Sequence, residues 1–194
     1  MFRLTRTAKR VALVAGSLGV AALMTIFTLV VPATAAPIAA ASSIPKCTAG
    51  DLGVWLAIDQ SDGSAGTIYT PLEFTNLSHH TCRLHGFPGV SAINSDGQQI
   101  GVPAGWDHAV KATTVRLAPG GTAHAILEYH DVIIASCPKA DRRTAFELRV
   151  IPPDQYRSDH VLWPMQACAS RSATLGYLDV RAIAPGPGVR GDIV

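Results

Sequence analysis

The stretch 72–90 constrains the fold most, because it joins a strand, a polar turn, a cysteine and a tight corner in one short segment. Leu72, Phe74 and Asn76 alternate with polar side chains at the period of two that a half-buried strand requires. A polar cluster ends the strand, and glycine and proline then turn the backbone. The cluster spans 76–81, the cysteine is Cys82, and the Gly-Phe-Pro-Gly corner spans 86–89.

Short strand patterns continue along the rest of the chain. No long segment shows the 3.6-residue period of an amphipathic helix, and the segment 101–111, which has no clear period, is predicted to be an irregular loop. The pattern predicts an all-β fold, an immunoglobulin-like β-sandwich of about seven to nine strands. Strands are predicted at 52–59, 66–76, 90–94, 113–117, 122–129, 146–150, 161–165 and 173–180, and turns at 61–63, 94–97 and 119–121.

The amino-terminal segment has the composition of an export signal. Basic residues precede the uncharged run 11–31, and Ala33-Thr34-Ala35 offers a small-x-small cleavage site. The run exceeds the usual leader core of about 7 to 15 residues and reaches the length of about 20 that spans a bilayer. Residues 1–35 are therefore expected to be a signal peptide or an amino-terminal membrane anchor, followed by a linker at 36–46.

The charge distribution argues against nucleic acid as a partner. The chain has 16 basic and 14 acidic residues, and because four basic residues lie in the first ten positions, 12 remain in the exported part. These are scattered singly, apart from Arg142 and Arg143, so the sequence has no continuous basic stripe that would neutralise phosphates. Contact with a membrane is expected only through 11–31, if the leader is retained.

Four cysteines follow the leader: Cys47, Cys82, Cys137 and Cys168. An even number of cysteines in an oxidising compartment predicts two structural disulfides, and three pairings are possible. No Cys-x-x-Cys motif is present, so neither a redox dithiol nor a zinc knuckle is indicated.

Several short motifs occur in a fixed order between about residues 47 and 183. The most specific is the block 82–90, with the spacing Cys-x-Leu-x-Gly-Phe-Pro-Gly-Val. The others are Cys47 before a strand, the strand end Phe74-Thr75-Asn76, the run Leu-Ala-Pro-Gly-Gly-Thr-Ala at 117–123, Cys137, the Val-Ile-Pro-Pro strand end at 150–153, and Cys168.

These motifs resemble the secreted "domain of unknown function 4232" proteins of high-GC Gram-positive bacteria. The resemblance implies a β-sandwich at 47–183, sequential disulfides and an envelope or extracellular location, and it carries no catalytic residues. Members of the family are often lipoproteins, whereas Lys46 beside Cys47 does not fit a lipid-attachment motif. The proline- and glycine-rich residues 184–194 are predicted to be a flexible tail.

Histidine is the main candidate metal ligand. His79, His80 and His85 flank a cysteine and are the residues that an extracellular metal or small-ligand binding protein would use. Solvated loop histidines are the commoner case, so no cofactor is expected. Same-face neighbours on a strand stand about 6.8 Å apart, too far for two of them to hold one ion at about 2.0 to 2.2 Å. This spacing applies to His124, Glu128 and His130.

Trp106, Asp107 and His108 are the candidate residues for a ligand or a partner. Trp106 lies in the irregular segment, where an exposed aromatic ring could anchor a sugar or a protein. Trp55 and Trp163 fall in strand patterns and are interpreted as core residues.

No catalytic motif stands out. The run Gly89-Val90-Ser91 begins like a nucleophile elbow but lacks the second glycine and a following helix, and there is no metalloprotease, phosphate-loop or dinucleotide motif. The expectation is a non-enzymatic, exported interaction or envelope-structural module, whose partner is an unknown protein or cell-envelope component. The alternatives are the metal or small-ligand carrier and, less favoured, a cell-wall hydrolase.

Overall fold

The structure is a computed structural model that describes residues 43–170 and 176–191. The chain divides into two units, 1–40 and 41–194, and the described residues belong to the second. The expected leader at 1–35 and the linker as far as residue 42 lie outside the described residues, as do 171–175 and 192–194. No helix among the described residues is long and apolar enough to cross a membrane.

The described residues form strands, with only single turns of 3₁₀ helix at Ala49–Asp51, Ile58–Gln60 and Lys139–Asp141. The prediction of an all-β fold is confirmed, and the immunoglobulin-like topology stays a prediction. Short strands within predicted turn, loop and tail segments raise the number above the expected seven to nine. The strands are β1 (Leu52–Leu56), β2 (Asp62–Ser64), β3 (Thr67–Asn76), β4 (Cys82–His85), β5 (Gly89–Ile93), β6 (Gly105–Asp107), β7 (Thr114–Leu117), β8 (Thr122–His130), β9 (Arg142–Ile151), β10 (Asp159–Cys168), β11 (Leu178–Arg181) and β12 (Ala184–Pro185).

The strands form three sheets. The large sheet has the order β1-β3-β8-β11-β6, with β2 added beside β3 and β12 beside β8. A second sheet has the order β10-β9-β5, and β4 pairs with β7 in a third. Strands β6 and β11 are parallel, whereas the other paired strands are antiparallel.

Buried side chains from all three sheets form one core. Phe74 and Leu127 come from the large sheet, Leu148 from the second and Leu84 from the third. Asn76 is also fully buried, and its amide nitrogen donates hydrogen bonds to the carbonyl oxygens of His80, in the turn after β3, and Leu117, at the end of β7. The alternating side chains of 72–76 therefore do face the core, as the sequence predicts.

Two disulfides cross-link residues of this core. They join Cys47 to Cys82 and Cys137 to Cys168, so the sequential pairing implied by the family resemblance is confirmed. The paired cysteines are 35 and 31 residues apart. In the chain-entropy model, loops of this size constrain the unfolded chain by roughly 3 to 4 kcal/mol each.

The first hairpin turns later than predicted. The turn expected at 61–63 is wrong, because Asp62–Ser64 is strand β2 and the turn is made by Ala65 and Gly66. Their φ angles are 48° and 84°. Two positive φ values match the right-handed twist of a two-residue hairpin, which explains why the chain turns here.

Strand β1 is shorter than the predicted strand 52–59. It ends at Leu56, and a 3₁₀ turn follows. Trp55 is 47% exposed, so its interpretation as a core residue is wrong: it lies opposite Glu73 on the outer face of the large sheet. Trp163 does pack against the core, with its ring edge-to-face on Tyr129 at a centroid distance of 5.7 Å.

The irregular loop predicted at 101–111 contains strand β6. Gly105, Trp106 and Asp107 pair in parallel with Asp179, Val180 and Arg181 of β11. A parallel partner lies far away along the chain, so no local hairpin signal marks such a strand.

The pairing of β9 and β10 contains an irregularity. The register shifts between Leu162 and Met165, and Phe146 of β9 is exposed there, although the alternation in 146–150 predicted a buried side chain. Pro164 lies within the shifted segment of β10, at an edge of its sheet. Proline donates no ladder hydrogen bond, which is tolerated at such an edge.

The segment 184–191 is not a free tail. Ala184–Pro185 pairs with β8, and the buried Gly188 donates its N–H to the Glu73 carboxylate at 2.8 Å. A Cβ atom at Gly188 would stand 2.5 Å from the Cβ of Pro71, so only glycine allows this close approach. The segment therefore covers part of the outer face of the large sheet.

Candidate functional site

An exposed aromatic patch lies at the edge of the large sheet. Trp106 of β6 stacks on Phe87 with a centroid distance of 5.3 Å and an interplanar angle of 14°. His108 meets the same phenyl ring edge-on at 4.8 Å. The Trp106 side chain nevertheless remains 57% exposed. Phe87, Trp106 and His108 together are called the aromatic patch.

The structure splits the predicted group Trp106, Asp107 and His108 between two surfaces. Successive residues of a strand point to opposite faces of the sheet. Trp106 is therefore directed toward the Phe87 corner, whereas Asp107 lies on the outer face beside Arg181. Trp106 and His108 are brought together and Asp107 is not.

A charged network occupies the outer face of the large sheet next to this edge. The Arg181 Nε atom lies 2.7 Å from a Glu128 oxygen and 3.1 Å from an Asp107 oxygen. Its guanidinium group also lies over the Tyr69 ring, 5.8 Å from the centroid. Glu128 is only 8% exposed, so a cation beside it offsets the cost of burying its charge. The charged network is defined as Asp107, Glu128, His130, Asp179 and Arg181.

The two carboxylates that share Arg181 have opposite pKa shifts. Burial raises the pKa of Glu128, and Arg181 only partly counteracts it. The backbone N–H of Ala109 donates to Asp107 and is the largest cause that lowers its pKa, with Arg181 adding to the effect. The network therefore holds one carboxylate that resists ionisation beside one that favours it.

A hydroxyl, an imidazole and a carboxylate form a line across three strands. The Thr67 hydroxyl lies 2.9 Å from His130 Nδ1, and His130 Nε2 lies 3.0 Å from an Asp179 oxygen. This is the order of groups that activates a nucleophile in hydrolases. The same hydrogen bonds also satisfy three polar side chains on the sheet surface, which is a structural role that requires no catalysis.

Comparison with known proteins places the chain in a family. The family model described as "Domain of unknown function (DUF4232)" matches residues 47–184, well over half of the chain. The chain belongs to this family. Neither the curated proteins nor the solved structures contain a match to this DUF4232 chain.

The candidate metal ligands of the DUF4232 domain do not converge. His79, His80 and His85 are all exposed, the first two in the turn after β3 and the third at the end of β4. Across residues 43–170 and 176–191, no group of three or more His, Cys, Asp or Glu side chains is placed to hold one metal ion.

The side chains of β8 that share a face in the sequence find separate partners. His124 Nδ1 lies 2.9 Å from the carbonyl oxygen of Gly186, Glu128 binds Arg181, and His130 binds Thr67 and Asp179. The shared face of these residues follows from the sequence, but their partners do not. They come from β3, β11 and the carboxyl-terminal segment.

The cavities on the described surface of the DUF4232 domain include one of about 620 Å³ and one of about 280 Å³. The larger is lined mainly by the segment 98–103 with Arg143 and Thr144. The smaller lies at the tip of the β2–β3 hairpin and includes Thr67 and Tyr129. Neither cavity includes a residue of the aromatic patch.

Proposed function

We propose that this DUF4232 protein is exported and acts as a non-enzymatic binding module of the cell envelope, with the aromatic patch as its contact surface. The secreted, actinobacterial character implied by the sequence motifs is part of the same proposal. Both disulfides are consistent with an extracytoplasmic location. The leader pattern at 1–35 supports export.

The observation that carries the proposal is the exposure of Trp106. An indole that is 57% exposed leaves a large apolar surface in water, which burial against a partner would remove. The Phe87 ring stacks on one face of the indole and restricts its orientation. A side chain fixed before binding loses less conformational entropy when the complex forms, so the patch is suited to anchor a partner.

Trp55 provides a matched control for this site. Its exposed fraction of 47% is close to that of Trp106, but no aromatic ring among the described residues stacks on it, and its Nε1 atom donates to the Thr75 hydroxyl at 3.4 Å. A partner that recognises the aromatic patch should therefore depend on Trp106 and be insensitive to Trp55.

Site-specific photo-crosslinking in cells that export the full chain tests the proposal. A photoreactive residue at position 108 is expected to give a discrete crosslinked partner, whereas one at Ile58, which is also exposed, is not. Trp106→Ala should lower the yield from position 108 about tenfold or more, as loss of a binding hot spot does. Trp55→Ala should leave it unchanged. Equal yields from positions 108 and 58, or no effect of Trp106→Ala, would contradict the proposed contact surface.

Hydrolysis is a second candidate function, favoured by the Thr67–His130–Asp179 line. Under this hypothesis, His130 would take the proton of the Thr67 hydroxyl as that oxygen attacks an ester carbonyl. Turnover of an ester by the purified full chain, abolished by both Thr67→Ala and His130→Ala, would establish this activity. It would also overturn the proposal of a non-enzymatic module.

A further inference from the structure

The small sheet of β4 and β7 has a basic outward face. Along these strands the buried residues alternate with Arg83, His85 and Arg116, which point away from the core. Arg83 and Arg116 are directly opposite each other across the strand pair. Two like charges in that position repel, so the fold gains nothing from placing them there.

A third cation extends this face. Lys46 pairs with Arg83 as an isolated parallel bridge, so its backbone lies next to β4. The Arg83 Nε atom donates to the carbonyl oxygen of Ile44, and no described carboxylate forms an ion pair with Arg83 or Arg116. We call Lys46, Arg83, His85 and Arg116 the basic face.

One carboxylate borders the basic face. Asp154 accepts a hydrogen bond from Lys46 at 2.7 Å, and this bond is the largest cause that lowers the pKa of Asp154. The charges of His85 and Arg83 act in the same direction, which shows that they lie near the same carboxylate. With three permanent cations and one anion, the face has a local charge of about +2, whereas the exported part of the chain has 12 basic residues against 14 acidic ones.

An exposed tyrosine stands beside the basic face. Tyr156 is 98% exposed, in the loop between β9 and β10. That loop is attached to the face at two points, because Asp154 binds Lys46 and Gln155 donates to the carbonyl oxygen of Cys47 at 3.0 Å. Tyrosine has an apolar ring and a polar end, and such side chains are enriched where a membrane meets water.

The chain also enters the domain at this face. In sequence, only residues 32–45 separate the uncharged run 11–31 from Lys46. A fully extended chain covers at most about 3.3 to 3.6 Å per residue, so this segment reaches at most about 50 Å. A chain that keeps its apolar run in a bilayer would hold the basic face within that distance of the lipid surface.

We propose that the basic face docks on the anionic surface of a lipid bilayer. Two arginines without a described carboxylate partner, Arg83 and Arg116, lie on one exposed surface with a neighbouring tyrosine and the entry point of the chain. Such a surface complements anionic lipid headgroups. Neither of the two cavities described above includes a residue of the basic face. The proposal goes beyond the proposed function, because it uses none of the residues of the aromatic patch.

The expected strength of docking is modest. Each basic residue near an anionic membrane strengthens binding by about fivefold, and because Asp154 offsets Lys46, the two arginines give about 25-fold. That is too little to hold a free domain on a membrane but sufficient to orient one that is already tethered, because tethering raises its effective concentration at the surface.

Hydroxyl-radical footprinting of the full chain in nanodiscs tests the docking. Oxidation of Tyr156 is expected to fall several-fold when phosphatidylglycerol is added to phosphatidylcholine nanodiscs, and to recover at high salt, because salt screens charge interactions over about 10 Å or less. Trp55 lies on the outer face of the large sheet, outside the basic face, and serves as an internal reference whose oxidation should not change.

Charge variants separate docking from other effects of the lipid. Arg83→Ser with Arg116→Ser should weaken docking about 25-fold, from two losses of about fivefold each, and restore the oxidation of Tyr156. Lys139→Ser, which removes an exposed cation elsewhere, should change nothing. Equal oxidation of Tyr156 in both nanodiscs would overturn the proposal. So would protection of Tyr156 by soluble polyphosphate or duplex DNA but not by phosphatidylglycerol.

Discussion

The charged network and the basic face are both groups of ionic side chains on strands, but they are satisfied in different ways. In the network, Arg181 holds two carboxylates within 3.1 Å, and the segment 176–191 contributes two of the five residues. On the basic face, Arg83 and Arg116 lie side by side without a described carboxylate partner.

This difference indicates different roles for the two groups. Charges that are buried and paired with each other stabilise an arrangement of strands, and removing one partner leaves the other uncompensated. Charges that repel each other on an exposed surface contribute little to folding and remain available to a partner. Mutations should therefore affect stability at the network and binding at the basic face.

The largest expected effect comes from the disulfide beneath the basic face. Replacing both Cys47 and Cys82 with alanine should lower the free energy of unfolding by about 3 to 4 kcal/mol, since the cross-link no longer restricts the unfolded chain. Urea unfolding of the oxidised protein measures this loss. The backbone of the basic face should open first in this variant, so its amide hydrogens should exchange faster in β4 than in β8. A folded variant that lost only a binding activity would show that the disulfide serves a site rather than the fold.

A smaller effect is expected at the charged network. Arg181→Met leaves Glu128 buried without its cation, which should cost about 3 kcal/mol. Arg116→Met on the basic face is the matched control, because it removes the same group from an exposed position. It should change stability by less than about 0.5 kcal/mol. Equal losses in the two variants, measured by urea unfolding, would remove the distinction between the two surfaces.

The smallest effect is the dependence of stability on pH. The raised pKa of Glu128 means that its ionised form is disfavoured in the folded state, so stability should rise slightly as pH falls through that pKa, which lies above the ordinary 4.5. The lowered pKa of Asp107 and of Asp154 acts in the opposite direction. Their contribution is complete above pH 3.8, the ordinary value, and is lost as pH falls further through the lower folded values.

Urea unfolding at a series of pH values should therefore show that the free energy of unfolding passes through a shallow maximum as pH falls and then decreases steeply at acid pH. Glu128→Gln should remove the rise, and Asp107→Asn should reduce the loss below pH 3.8. A steady decline from neutral pH that Glu128→Gln leaves unchanged would contradict the assignment of the rise to Glu128.

Local sequence patterns predicted the features of the fold that depend on neighbouring residues in the chain, such as side-chain alternation and strand ends. The alternation of Leu72 and Phe74 placed both in the core, and the pair Pro152 and Pro153 correctly ended β9 at the preceding residue. Strand β6 was missed because its partner β11 lies more than seventy residues later and runs parallel, so nothing near Trp106 indicates the pairing.

The candidate sites were predictable only in part. Trp106 and His108 stand out by residue type in a segment without a clear period, but the alternation that sends Asp107 to the opposite face requires the strand that was missed. Lys46, Arg83 and Arg116 are single charges in the sequence. Their convergence depends on a disulfide and two strand pairings, which scattered residues do not reveal.

The irregular pairing of β10 has a consequence for the behaviour of the protein in a crowded compartment. An edge strand exposes backbone groups that can recruit another chain, and a strand of ten residues would be an effective template for aggregation. Pro164 removes one donor from this strand, and the register shift beside it interrupts a regular ladder. The defect in the sheet thus protects the folded protein against self-association.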